Sequence, residues 1–145
     1  MSTVNQLLES KKQHSTLISI TPDKSTYEAL QLMAKEDIGA IPVIEDSKLV
    51  GILTEREYAR KIVLHGKTSR ITPVRDTMCV DFPIVTRSAN IDDCMQLMTQ
   101  KRFRYVAVKE NDELIGLISI GDVVKNVIAN QQANIDALQQ YITGG

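Results

Sequence analysis

The sequence predicts an α+β fold in which one supersecondary unit is made twice. Residues 17–64 align with residues 82–129 without a gap when the chain is shifted by 65 positions. Within each copy the apolar spacing switches between the alternation of strands and the three-to-four spacing of helices. Each copy also places a short polar turn between two apolar runs, which reads as a hairpin. The match is close in places: Gln31, Leu32 and Met33 meet Gln96, Leu97 and Met98, and Gly51 meets Gly116. The lead-ins VNQLLES (4–10) and VRDTMCV (74–80) resemble each other as well, at a shift of 70.

Taken in order, TLISI (16–20) and FPIVT (82–86) are β-rich and predict short strands. Ser25-Thr26-Tyr27-Glu28 and Asn90-Ile91-Asp92-Asp93 each set a capping residue three positions before an acid, a helix start. The helices behind them carry Leu30, Met33 and Ala34, then Met95 and Met98, as core residues. AIPVIE and YVAVKE follow, then turns at Asp46-Ser47-Lys48 and Asn111-Asp112-Glu113, then KLVGIL and ELIGLI. After Thr54 and Ser119 the helical period returns. The unit is β-α-β-β-α, with two small sheets packed on helices. The expected boundaries are 1–66 for the first repeat, 67–73 for a linker, 74–130 for the second repeat and 131–145 for a helical extension. That extension continues a stripe of Val123, Val124, Val127, Ile128, Ile135, Leu138 and Ile142, which must be buried somewhere. A two-fold homodimer is the expectation; a fold-back through the polar insert Asn130–Asn134 is the alternative.

Composition narrows the function. A net charge of −1 leaves no basic surplus for phosphate contacts along a nucleic acid. No apolar stretch approaches membrane-spanning length, and residues 1–18 lack the apolar block of a signal peptide, so a cytoplasmic protein is expected. Cys79 and Cys94 form no disulfide framework, and Cys94 falls on an apolar helix face, where a buried thiol is expected. His14 and His65 stand in polar stretches without partners at ligand spacing, so no metal site is expected. Neither a serine elbow nor a Cys-His arrangement is visible, and no catalytic residue or enzymatic activity is expected.

Two stretches carry the functional question: VGILTEREYAR (50–60) and IGLISIGDVVK (115–125). Thr54-x-x-Glu57 and Ser119-x-x-Asp122 both fit a capping box, in which hydroxyl and acid satisfy the first helical amides. The same geometry suits a ligand, because free amides and the positive end of a helix attract phosphate. A carboxylate one turn in can accept two hydrogen bonds from a ribose diol. Glu57 has the length to reach back to the cap. Asp122, being shorter, is expected to face a diol instead.

The order IPVIED-x-x-LVGILT-x-x-E, repeated as VAVKEN-x-x-LIGLIS-x-x-D, resembles the CBS domain, and the chain from about 4 to 130 looks like a stand-alone CBS pair, a Bateman module. The resemblance implies two motifs packed pseudo-symmetrically through their sheets. It implies clefts for adenosine nucleotides (AMP, ADP, ATP or NAD, with S-adenosylmethionine less expected) that are sensed rather than turned over on behalf of a regulated partner. It also implies pairing of modules into a disc. Matched onto this chain, the family pattern puts the phosphate and ribose at Ser119 and Asp122, with Leu117 beneath. The adenine slot falls at Ile18, Ile20, Gly39, Ala40 and Pro42, and Arg104 is a phosphate-binding arm or a solvated arginine. The second cleft would use Thr54, Glu57, Pro83, Phe103 and Tyr105. There Glu57 departs from the family's Asp, and Tyr105 would fill the base slot or stack on the base, so this cleft is expected to be compromised.

Overall fold

The computed structural model describes residues 2–11 and 17–142, so His14 lies outside the described residues. The first repeat comprises α2 (Thr26–Glu36), the hairpin β1 (Ala40–Glu45) and β2 (Lys48–Thr54), and the short α3 (Glu55–Tyr58), which widens into a π-turn over Ala59–Val63; α1 (Val4–Lys11) precedes it. The second comprises β3 (Ile84–Val85), α5 (Ile91–Lys101), β4 (Tyr105–Glu110), β5 (Glu113–Ser119) and α6 (Ile120–Ile142); α4 (Val74–Thr77) precedes it. Helix and strand mix as an α+β tandem fold requires.

Local chemistry explains the boundaries. Ser25 Oγ accepts from the Glu28 N–H at 3.1 Å and Asn90 Oδ1 from the Asp93 N–H at 2.8 Å, capping α2 and α5. Both helices end on a left-handed residue, Asp37 (φ 54°) and Arg102 (φ 52°), which turns the chain into the following strand. The hairpins turn on two residues each, Asp46-Ser47 and Asn111-Asp112, all with positive φ, the geometry that matches strand twist. The first expected strand is smaller than TLISI: Ile20 alone bridges Val43, and the turn at Thr21-Pro22 ends the ladder because proline has no N–H to extend it. In the second copy only Ile84 and Val85 pair with β4.

Alternation along the strands builds three cores. Ile41, Val43 and Leu53 face α2 with Ala29, Met33 and Val74, while Val106, Val108 and Ile118 face Ile91, Cys94, Met98 and Val123. The opposite strand faces meet each other through Ala40, Ile52 and Ala107, joined by Phe82 and Phe103 from the chain just before β3 and β4. Both faces of each small sheet are therefore covered, and the repeats are joined sheet to sheet. Cys94 is fully buried, and burial pushes its thiol up to about 11.

The lead-ins cross over. Val4 and Leu7 of α1 pack into the second repeat's core, whereas Val74 of α4 packs into the first's. The buried hydroxyls of Thr26 and Thr77 meet at 2.8 Å, tying α4 to α2. Gly51 and Gly116 are glycines for the same reason: a Cβ would collide with Met78 in one copy and Leu8 in the other. No fold-back occurs at the C-terminus, because Asn130–Asn134 continue the 23-residue helix α6. Only Val123 is buried there; Val124, Ile128, Ile135, Leu138 and Ile142 are exposed. Among the described residues, no helix is long and apolar enough to cross a membrane.

Candidate functional site

A hollow of about 600 Å³ opens between the repeats. The first repeat supplies Ile18, Gly39, Ala40 and Pro42, and the second supplies Leu117, Ser119 and Asp122. Backbone pairing places them: Ala40 and Pro42 share one face of β1, while Leu117 and Ser119 share one face of β5. Seven of the nine residues expected in this cleft thus line one space. Ile20 does not; its side chain packs with the first repeat's core. Arg104 does not either, and lines a neighbouring hollow.

The acid at the start of α6 behaves otherwise than its length suggested. The Ser119 N–H donates to Asp122 Oδ2 at 2.9 Å and the Asp122 N–H donates to Ser119 Oγ at 3.1 Å, a closed capping box. Glu57 does not close its box: Thr54 Oγ1 accepts from the Glu57 N–H at 3.2 Å, but the carboxylate turns to Lys61 at 3.3 Å. The cap expected of Glu57 is thus closed by Asp122 instead. The longer chain swings past its own cap to an ammonium one turn on, whereas the shorter one is held close enough to the helix start to reach back.

Asp122 also has a partner that the sequence reading missed. Lys11 Nζ donates to Asp122 Oδ2 at 2.6 Å and to the Leu117 carbonyl at 2.9 Å, so the end of α1 spans the cleft's polar wall. Burial pushes the Asp122 carboxyl upward, but the Lys11 ammonium and the Ser119 bonds outweigh it and hold it below the usual carboxylate range. The lead-in match sets Leu8 against Met78 at a shift of 70 but stops at Ser10, one residue short of Lys11. Only packing reveals that α1 reaches across to the other repeat.

Tyr105 lines this cleft as well as the neighbouring one. A Cβ on Gly39 would lie 2.6 Å from the Tyr105 hydroxyl, so Gly39 is small to admit this ring. Burial, then the charge of Glu55, push the phenol above its ordinary range, against the pull of Arg104. The neighbouring hollow, about 860 Å³, collects Thr54, Phe103, Arg104 and Tyr105, with Arg56, Arg60 and Arg102. Glu57 and Pro83 lie outside it. At the expected mirror cleft the backbone of Cys79 pairs with Ile52 at 3.0 and 2.8 Å and lays chain along β2. Among the described residues, no group of His, Cys, Asp or Glu is placed to hold a metal.

Residues 13–64 and 74–129 each match the model of the CBS domain. The chain belongs to the CBS-domain family. It is 34% identical over an alignment of 151 positions to the mitochondrial CBS domain-containing protein CBSX3 of Arabidopsis thaliana, covering 99% of this chain and 73% of that one. Among solved structures, a putative signal-transduction protein with CBS domains from Burkholderia ambifaria MC40-6 is 44% identical with a TM-score of 0.84, covering 90% of this chain and 96% of that one. CBSX2, solved in complex with AMP, shares the fold at 23% identity and a TM-score of 0.72, covering 90% and 99%. The CBS motif is thus present twice, as one pair.

Proposed function

We propose that this CBS pair is a regulatory sensor that binds an adenosine nucleotide (AMP, ADP, ATP or NAD) between its repeats and does not turn it over. The observation that carries the reading is the cleft itself. Small and apolar groups of the first repeat, Ile18, Gly39, Ala40 and Pro42, oppose a helix start bearing Ser119 and a charged Asp122 in the second. A flat base suits the first wall and a ribose diol the second. The AMP held by CBSX2 supports the ligand class. Because Lys11 engages Asp122, a ribose at this wall competes with an ammonium for the carboxylate, or shares it.

Calorimetry with AMP tests this. Asp122→Asn keeps a side-chain acceptor for the Ser119 N–H and removes the charge, so it separates binding from capping. Affinity should fall at least about tenfold, the scale of a charge-assisted hydrogen bond. Unchanged AMP affinity in Asp122→Asn would remove Asp122 from the site.

A second role is favoured by α6, whose exposed Val124, Ile128, Ile135, Leu138 and Ile142 recur at alternating helical intervals. With Gln131 they complete a four-three repeat, the seam of a paired helix. The module is accordingly a homodimer in this reading, with α6 adding to the contact and a regulated partner reading the assembly.

A further inference from the structure

Each helix-start acid is met by an ammonium that also reaches a backbone carbonyl. Lys61 Nζ lies 3.3 Å from Glu57 and donates to the Met78 carbonyl at 3.0 Å. Lys11 Nζ lies 2.6 Å from Asp122 and donates to the Leu117 carbonyl at 2.9 Å. The two differ in origin and in place. Lys61 shares a helical stretch with Glu57, and neither lines the cleft. Lys11 is brought by α1 and lines the cleft together with Asp122. Its place does not depend on the ion pair alone, because α1 is anchored further up. Val4 and Leu7 are buried in the second repeat's core, and the Val4 and Asn5 N–H groups donate to the Ala89 and Arg87 carbonyls at 2.8 and 3.1 Å.

The charges around the cleft give this ammonium its weight. Among the described residues, the lining carries the carboxylates of Glu9, Asp37 and Asp122 and the cations of Lys11 and Arg87. Arg87 is engaged by Glu110, which lies outside the lining, at 3.0 Å and by Asn5 at 3.0 Å. Lys11 is therefore the cation that offsets Asp122, whose carboxyl is held below its usual range and is charged at neutral pH. The bonds from Lys11 and from the Ser119 N–H both fall on Oδ2 of Asp122, which leaves Oδ1 outside both. A diol can take Oδ1 without expelling the ammonium.

We propose that Lys11 is a specificity-determining residue, which offsets the carboxylate wall so that the cleft takes anionic adenosine nucleotides in preference to the uncharged nucleoside. The proposal rests on the adenosine reading above and names the group that reads the ligand's charge. Without the ammonium, a phosphate beside the ribose would meet a bare carboxylate in a half-buried space, where like charges repel more strongly than in open water. With it, Lys11 and Asp122 form a pair of no net charge, and Asp122 keeps an acceptor for the diol. A neutral nucleoside gains nothing from the ammonium.

Calorimetry with AMP and adenosine at low ionic strength tests this on the full chain. The wild type binds AMP more tightly than adenosine. Lys11→Met narrows that preference at least about tenfold, weakening AMP while adenosine holds or tightens. Lys11→Arg keeps the charge and keeps the preference, and Lys61→Met, which removes the matching ammonium outside the cleft, leaves it unchanged. Equal weakening of both ligands in Lys11→Met overturns the proposal, because a merely structural loss does not discriminate by ligand charge. A preference lost in Lys11→Arg overturns it too, as does the same narrowing in Lys61→Met, which is diffuse attraction only. Binding of both ligands with an unchanged ratio in Lys11→Met sinks this proposal alone. A wild type that binds neither sinks the adenosine reading, and this inference with it.

Discussion

Asp122 shows how one residue can be committed three ways, to a helix cap, to an ammonium and, in the proposed function, to a ligand. Its carboxyl titrates below the ordinary value of 3.8 because the Lys11 and Ser119 bonds exceed the opposing effect of burial. With the folded value depressed, the group stabilises the fold at pH above about 3.8, and this contribution is lost as pH falls through the folded value. Lys11→Met should move the carboxyl back up and flatten that acid loss. Acid unfolding followed by circular dichroism, with the carboxyl carbon of Asp122 followed by NMR, measures both. Identical titration in the two proteins would mean that Lys11 does not hold Asp122 in solution. Glu57, the matching residue, makes its ion pair with Lys61 on the same helical stretch and has no such reach across the molecule.

At the scale of elements, the exchanged lead-ins decide which glycines are needed. Gly116 lies under Leu8 of α1, and Gly51 under Met78 just beyond α4. Gly116→Ala should cost about 1–3 kcal/mol through overpacking, read as a lower denaturation midpoint. In a Leu8→Ala background the same change should cost much less, since the collision is with that side chain. Additive losses would place the strain elsewhere. The hairpins follow a different logic, since Asp46, Ser47, Asn111 and Asp112 hold positive φ without glycine. Asp and Asn are the side chains that tolerate this conformation best, which is why a turn was readable there.

For the whole molecule, the unspent surface is α6. Its stripe lies on a helix that extends well beyond the second repeat's core, where Val123 is buried and Val127 is partly covered. Light scattering at tens of micromolar should report a dimer, in keeping with the commonest closed assembly. Truncation after Asn130 should weaken that dimer while leaving AMP affinity largely intact. A wild-type monomer with and without nucleotide would refute the pairing. If nucleotide binds two dimer geometries unequally, occupancy shifts their populations, and that is how a cleft without catalysis can signal.

Much of this protein follows from sequence alone. The repeat, the α+β class, both hairpins with their turns and the caps of α2 and α5 depend on contacts within a few residues, so local patterning determines them. Membership of the family was legible in the order IPVIED…LVGILT and VAVKEN…LIGLIS. Most of the cleft-lining set was readable too, because the resemblance to the family carried its binding positions onto this chain. What remained hidden depends on long-range packing. The α1 and α4 lead-ins cross to the opposite repeat, and that crossing brings Lys11 to Asp122 over 111 positions of chain. Arg104, just before β4, lines the neighbouring hollow rather than the cleft. Asp122, rather than Glu57, closes its capping box, and its second partner, Lys11, comes from a helix distant in sequence. Side-chain length and spacing decide what a residue can reach; only the assembled fold decides what is there to be reached.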